Sequence, residues 1–235
     1  MTSGKTHFIG LMLLSLVSIR AYSQQSTFGV DVGEVSDKFG ALSSTNAAQV
    51  NINGQVTILK GNPKEQRPAI VAGGEIILPA DTNNHAKEFA VWGGPMFHAG
   101  HFILGFEAQI RKIIEPTAFV DNQFFQRDTL EFLEVPGVIR YDFGASKRVF
   151  VEVKGAPEFH PRFRTPKGTT VLLPNPHLDY GYFIRGSAGY NSSHHWYARA
   201  SYELRYLKYE PDAGNPNGLY NWRSNSISGG VGVTF

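Results

Sequence analysis

The chain has 235 residues, a formal charge of +2 and no cysteine. This excludes disulfides, thiolate metal sites, a cysteine nucleophile and a lipobox acyl anchor, and gives no electrostatic footprint for nucleic acid. Mean hydropathy is -0.21, and after residue 20 no apolar run approaches the ~20 residues of a membrane helix, which excludes helical spans but not a strand barrel.

The first segment reads as a targeting sequence. Lys5 supplies a positive start, Phe8 to Ile19 an apolar run, and Ala21-Tyr22-Ser23 small residues at the −3 and −1 positions. That is the pattern of a secretory signal peptide over 1–23, cleaved before Gln24. The expected mature domain is 24–235.

From Gln24 on, segments of period two alternate with polar links rich in Gly, Pro and Asn. A period of two places alternate residues on opposite faces of a strand, which no helix does. Strand one is expected at Thr27–Gly33. Strand two, Ala47–Leu59, sets Ala48, Val50, Ile52, Val56 and Ile58 against Gln49, Asn51, Asn53, Gln55 and Thr57. Strand three, Ala69–Leu78, carries Glu75 opposite Ile70, Ala72, Ile76 and Leu78. Strand four, Phe89–Phe97, is interrupted by Gly93-Gly94-Pro95, and a proline there points to a bulge or an edge. Strand five, His101–Ile113, sets Phe102, Leu104, Phe106, Ala108 and Ile110 against Glu107, Gln109 and Arg111.

Strand six, Leu130–Phe143, sets Leu133, Val135, Ile139, Tyr141 and Phe143 against Glu134, Arg140 and Asp142. Strand seven, Arg148–Phe159, sets Val149, Val151 and Val153 against Glu152, Lys154 and Glu158. Strand eight, Leu178–Tyr190, sets Tyr180, Tyr182, Ile184 and Ala188 against Asp179, Arg185 and Ser187. Strand nine, Trp196–Lys208, sets Trp196, Ala198, Ala200, Tyr202, Leu204 and Tyr206 against Arg199, Ser201, Glu203 and Arg205. Strand ten ends the chain, with Ile227, Val231, Val233 and Phe235 on one face and Ser226, Ser228 and Thr234 on the other.

Short turns near 61–66, 98–101, 144–147 and 191–193 alternate with longer links. Together these features predict an all-β fold, a closed antiparallel transmembrane up-and-down barrel of ten strands. Eight is the alternative if 27–60 folds apart. Short turns face the periplasm and long links the outside in such a barrel. The competing reading is a soluble β-sandwich or ligand-binding barrel with its apolar face inward.

The last residues carry a resemblance. Ser228, Gly230, Val233 and Phe235 match the assembly signal that outer-membrane barrels present to their insertion machinery. With the leader and ten alternating segments, the whole mature chain resembles the small bacterial outer-membrane β-barrels of the OmpA-type and porin-like group. The resemblance implies outer-membrane localisation, contact with outer-membrane lipid and lipopolysaccharide, and the barrel insertion machinery as an assembly partner. It implies a monomer, and a peptidoglycan-binding domain after the barrel is not expected.

In that arrangement the polar face lines the lumen. Its charged candidates are Asp31, Glu75, Glu107, Arg111, Glu134, Arg140, Glu152, Lys154, Asp179, Arg185, Arg199, Glu203 and Arg205. A lumen of eight to ten strands is narrow enough for side chains to fill, so near-balanced charges there are expected to pair. The expected function is an envelope structural role with narrow porin-like passage of small solutes. The alternative is an outer-membrane enzyme, a protease or lipid A modifier, with groups at the outer rim. His85, His160 and His177 lie on that side near Asp81, Glu158 and Asp179, but nothing marks a nucleophile, and no enzymatic activity, cofactor or metal is expected. His98, His101, His194 and His195 fall at the short turns. Arg162, Arg164 and Lys167 form a basic link suited to lipopolysaccharide phosphates.

Overall fold

A computed structural model describes residues 26–40, 44–62, 67–82, 84–114, 119–120, 123–124, 129–158, 162–164, 178–193, 195–210 and 221–235. The leader over 1–23, the side chains of the basic link at 160–168, and His160, His177 and His194 lie outside the described residues.

Among the described residues the sheet has thirteen hydrogen-bonded segments, twelve of which make ten barrel strands. They are β1 (Ser26–Phe39), β2 (Thr45–Leu59), β3 (Ala69–Pro79), β4 (Lys87–Ala99) and β5 (Phe102–Phe106 and Ala108–Ile114). Then come β6 (Thr129–Glu134 and Gly137–Phe143), β7 (Val149–Glu158), β8 (Leu178–Asn191), β9 (Trp196–Tyr209) and β10 (Trp222–Thr234). Each strand pairs antiparallel with its neighbours in sequence, and β10 returns to β1 with Phe28 opposite Val233 and Val32 opposite Gly229. Phe235 N–H donates to Ser26 O at 2.8 Å, and Ser26 N–H to Phe235 O at 3.3 Å. The barrel is closed, and residues 27–60 are part of its wall. Arg162–Arg164 extends the wall by pairing with Thr129–Glu131 beyond the end of β7.

Burial settles which face points where. Val32, Leu133, Ile139, Ile184, Ile227 and Val231 are exposed, while Asp31, Glu75, Gln109, Arg111, Glu134 and Arg205 are buried. A water-soluble barrel has the reverse pattern. An apolar outside over strands of this length is a surface for lipid. Aromatic side chains collect at both margins of that surface. At the short-link end Tyr141 packs on Phe102 and Phe143, with ring centroids 4.9 and 4.8 Å apart, and Tyr190 on Trp196 at 5.8 Å. At the long-link end Tyr206 packs between Tyr180 and Tyr182 at 5.8 and 6.0 Å. These are the interfacial belts of a membrane barrel.

Strand four differs from expectation. β4 is continuous and paired on both sides, so Pro95 marks neither an edge nor a bulge of its own strand. The interruption falls next door. The flanking pairs Gly93 with Ala108 and Met96 with Gly105 put Pro95 opposite Phe106. On the other side Pro136 lies opposite Glu107, whose N–H donates to Pro136 O at 3.0 Å. A proline has no N–H to return, so the ladder lapses at one place on both flanks of β5. Gly94 lets the backbones meet there, since a Cβ on it would overlap the Phe106 carbonyl.

Candidate functional site: the barrel lumen

The lumen is layered, and its densest ionic cluster lies in the middle. Three guanidinium groups sit among five carboxylates. Arg111 Nη2 donates to Glu75 Oε1 at 2.9 Å, its Nη1 to Glu88 Oε2 at 2.5 Å, and its Nε reaches Glu134 Oε2 at 3.5 Å. Arg185 donates to both oxygens of Glu75, at 2.8 and 3.0 Å, and to Glu203 at 2.6 Å. Arg205 Nη1 donates to Glu158 and, at 3.3 Å, to Glu134. The ring of Phe183 is held between the Arg111 and Arg205 guanidiniums, 5.4 and 5.1 Å from its centroid. Registry explains the meeting: Arg185 lies opposite Glu203 across β8 and β9, and Gln109 opposite Glu134 across β5 and β6.

Toward the short-link end the pairs are simpler. Arg199 binds Asp31, whose other neighbour Asn53 donates at 3.0 Å. Lys154 reaches Glu107 at 2.5 Å and lies 4.4 Å over the Trp92 ring. Arg140 donates to Asp142 at 2.8 Å and covers Phe150 at 4.0 Å, with Glu152 opposite it in register. Asp31 also explains a glycine of the terminal strand: a Cβ on Gly230 would collide with the Asp31 carboxylate, and one on Gly232 with the Tyr197 ring.

Apolar side chains close both ends of the ionic layer. Ala86, Ile113, Leu130, Phe132, Leu207, Tyr209 and Trp222 form a buried cluster at the long-link end. Ala69, Val71, Met96 and Val138 form another toward the short-link end. Above the larger cluster, Asp37 accepts from His85 Nδ1 at 2.9 Å and from Trp222 Nε1 at 3.1 Å, tying β1, the β3–β4 link and β10 together. Two internal cavities beside the network measure about 10 Å³ each, room for about one water apiece.

Of the lumen candidates read from sequence, twelve face inward, and one is misplaced. Asp179 is exposed and pairs with Lys208 Nζ at 3.1 Å at the outer rim. The cause is a register shift between Leu178 and Tyr180, which slips the alternation by one residue. His85 finds Asp37 rather than Asp81, which accepts from Asn84 at 2.7 Å. The expected network lacked Glu88, Glu158, Asp37 and Asp142. Glu88 shares the parity of Ala90 and belongs to the lumen once β4 begins at Lys87. The inward face is not polar throughout: apolar side chains form one cluster at the long-link end and another toward the short-link end. His98, His101 and His195 do stand at the short-link end, His101 Nδ1 lying 2.7 Å from the Asp142 carbonyl oxygen.

No protein-family model and no curated protein matches the chain. Solved structures do. The outer membrane protease OmpT from Escherichia coli superposes with a TM-score of 0.51 at 10% identity, covering 91% of this chain and 97% of that one. The fold is that of the outer-membrane β-barrels. Neisserial surface protein A matches at a TM-score of 0.41 and 13% identity, over 89% of this chain and 97% of its own. Ail of Yersinia pestis matches at 0.34 and 11%, over 91% and 99%. At 10% identity the likeness to OmpT shows the fold alone, and the chemistry of this barrel has to be read from its own residues.

Proposed function

We propose that this protein is a sealed outer-membrane barrel, an envelope scaffold that presents its long links outside the cell rather than a diffusion channel. The observation that carries this is the lumen: a buried arginine–carboxylate layer bracketed by two apolar clusters. An ion crossing it would have to displace fully buried guanidinium groups from their carboxylates, a rearrangement costing several kcal/mol. Porin-like passage through the resting barrel is therefore disfavoured. The apolar wall with its two aromatic margins supports residence in the outer membrane.

The reading is non-enzymatic. OmpT is a protease, but the His85–Asp37 pair here is 1% exposed on both sides, out of reach of a substrate. Planar-bilayer recording tests the proposal. The wild-type protein is expected to give no unitary current, and the triple variant Arg111→Ala/Arg185→Ala/Arg205→Ala, once folded, to conduct. Steady unitary current through the wild-type barrel would refute it.

A further inference from the structure

The charges of the ionic layer do not balance. Arg111, Arg185 and Arg205 face five buried carboxyl groups, those of Glu75, Glu88, Glu134, Glu158 and Glu203. Among the described residues the other lumen bases have acids of their own: Lys154 has Glu107, Arg199 has Asp31 and Arg140 has Asp142. Uncompensated charge is costly in a buried layer, and buried acids answer that cost by holding protons.

Hydrogen bonds decide which acid does so. Glu134 has donors on both oxygens. Arg205 Nη1 donates to Oε1 at 3.3 Å, and Gln109 Nε2 to Oε2 at 2.5 Å, with Arg111 Nε 3.5 Å from the same oxygen. A carboxyl group served in this way is held in its charged form. Glu158 is 0% exposed. Its Oε1 accepts from the same Arg205 Nη1, and its Oε2 has no donor among the described residues. The two carboxyl groups lie within hydrogen-bonding reach of each other. As two carboxylates they would set acceptor against acceptor. One proton turns the contact into an O–H···O⁻ bond, the strong charge-assisted kind.

The place of the pair in the wall gives that bond a task. Glu134 ends the first segment of β6, and Glu158 ends β7. Ladder pairing of β6 with the chain of β7 stops at Gly137–Gly155 and resumes at Glu131–Arg162. Pro136 and Pro157 stand in that interval, and neither has an N–H to give. Glu134 and Glu158 lie in the same interval, on its inner side.

We infer that Glu134 and Glu158 share one proton, carried by Glu158, and that this bond fastens β6 to β7 from inside the lumen where their ladder lapses. The inference deepens the sealed-barrel reading above: the plug includes a proton, and alkali removes it. Two like charges then share one guanidinium nitrogen at a weak stretch of wall. The charged groups around the pair are Arg111 from β5 and Arg205 from β9, with Glu88 from β4 and Glu203 from β9 each 3.7 Å from Arg205 Nη2. β8 meets Glu158 with Gly181, which adds no charge.

The test uses the full chain refolded into lipid vesicles, with heat-dependent gel mobility as the check on folding. Infrared spectroscopy at neutral pH is expected to show a carboxylic-acid C=O band that shifts on deuteration. The band is expected to weaken by one group in Glu158→Gln and to stay unchanged in Glu152→Gln. Urea unfolding across pH is the second readout. The unfolded chain releases this proton from mildly acid pH upward while the barrel keeps it. The wild-type folding constant is therefore expected to fall by up to about tenfold per pH unit relative to Glu158→Gln. Glutamine keeps an N–H for Glu134 and a carbonyl for Arg205, so Glu158→Gln is expected to be at least as stable as wild type at neutral pH. No acid band in the wild-type protein, an unchanged band in Glu158→Gln, or parallel stability curves for the two proteins would overturn the shared proton. Unitary current through the wild-type barrel would sink the sealed reading and leave the proton in place.

Discussion

Arg111→Met isolates the energetic centre of the lumen. Arg111 is fully buried and touches Glu75, Glu88 and Glu134. Without it Glu75 keeps Arg185 and Glu134 keeps Arg205 at 3.3 Å. Glu88 keeps only Arg205 Nη2 at 3.7 Å, beyond hydrogen-bonding distance. The cost therefore concentrates on one carboxylate left nearly alone in a buried site, about 3–5 kcal/mol for a broken buried pair. Loss of the contact with Phe183 adds about 0.5–1 kcal/mol. The assay is urea unfolding of the protein refolded into lipid vesicles, followed by heat-dependent gel mobility and tryptophan fluorescence. Adding Glu88→Leu to Arg111→Met removes the orphan and is expected to recover at least about 2 kcal/mol, since replacing both partners by apolar groups is often nearly neutral. Arg111→Met within about 1 kcal/mol of wild type, or strict additivity of the two changes, would refute the network as a stabilising unit.

Three other outcomes follow from the wall. Val231 is 65% exposed on the lipid face, so Val231→Arg is expected to cost about 2–4 kcal/mol in vesicles, whereas Asp179→Asn at the rim changes stability by less than about 1 kcal/mol; equal costs would contradict the assigned faces. Hydrogen exchange at Phe106 and Glu107 is expected to be faster than at Leu104 and Ile110, because Pro95 and Pro136 interrupt the ladder on both sides of that point; uniform protection along β5 would dismiss the weak point. Phe235→Ala is expected to lower the yield of assembled barrel in the outer membrane while leaving the heat-dependent gel mobility of the refolded protein intact, and normal assembly would remove Phe235 from the signal.

Much of this fold was legible before any coordinate, because a strand in a barrel wall has two solvents and the alternation records both. Val30, Val32, Val50 and Ile52 against Asp31, Gln49, Asn51 and Asn53 mark the two faces of β2 and of the first half of β1, but β1 runs on to Phe39, past the Gly33 end expected for it. The closing pair follows from the expected closed up-and-down barrel, in which the last strand meets the first, and Phe28–Val32 pairs with Gly229–Val233. Where alternation fails, so does the reading. The slip at Leu178–Tyr180 sent Asp179 to the wrong face, and the late start assigned to β4 hid Glu88.

By itself, then, the sequence determined a strand barrel with charges on one face and hydrocarbon on the other, because period-two patterning is local. Only the tertiary structure decided which charges meet. Glu75 and Arg185 are separated by 110 residues, and their contact depends on the registry and tilt of every strand between them. Tertiary structure alone also placed apolar side chains at both ends of the lumen, since an inward Phe132 or Trp222 reads as noise in a polar face until neighbouring strands bring such residues together. The same holds for Lys38 and Arg223, which become neighbours only when the last strand closes on the first.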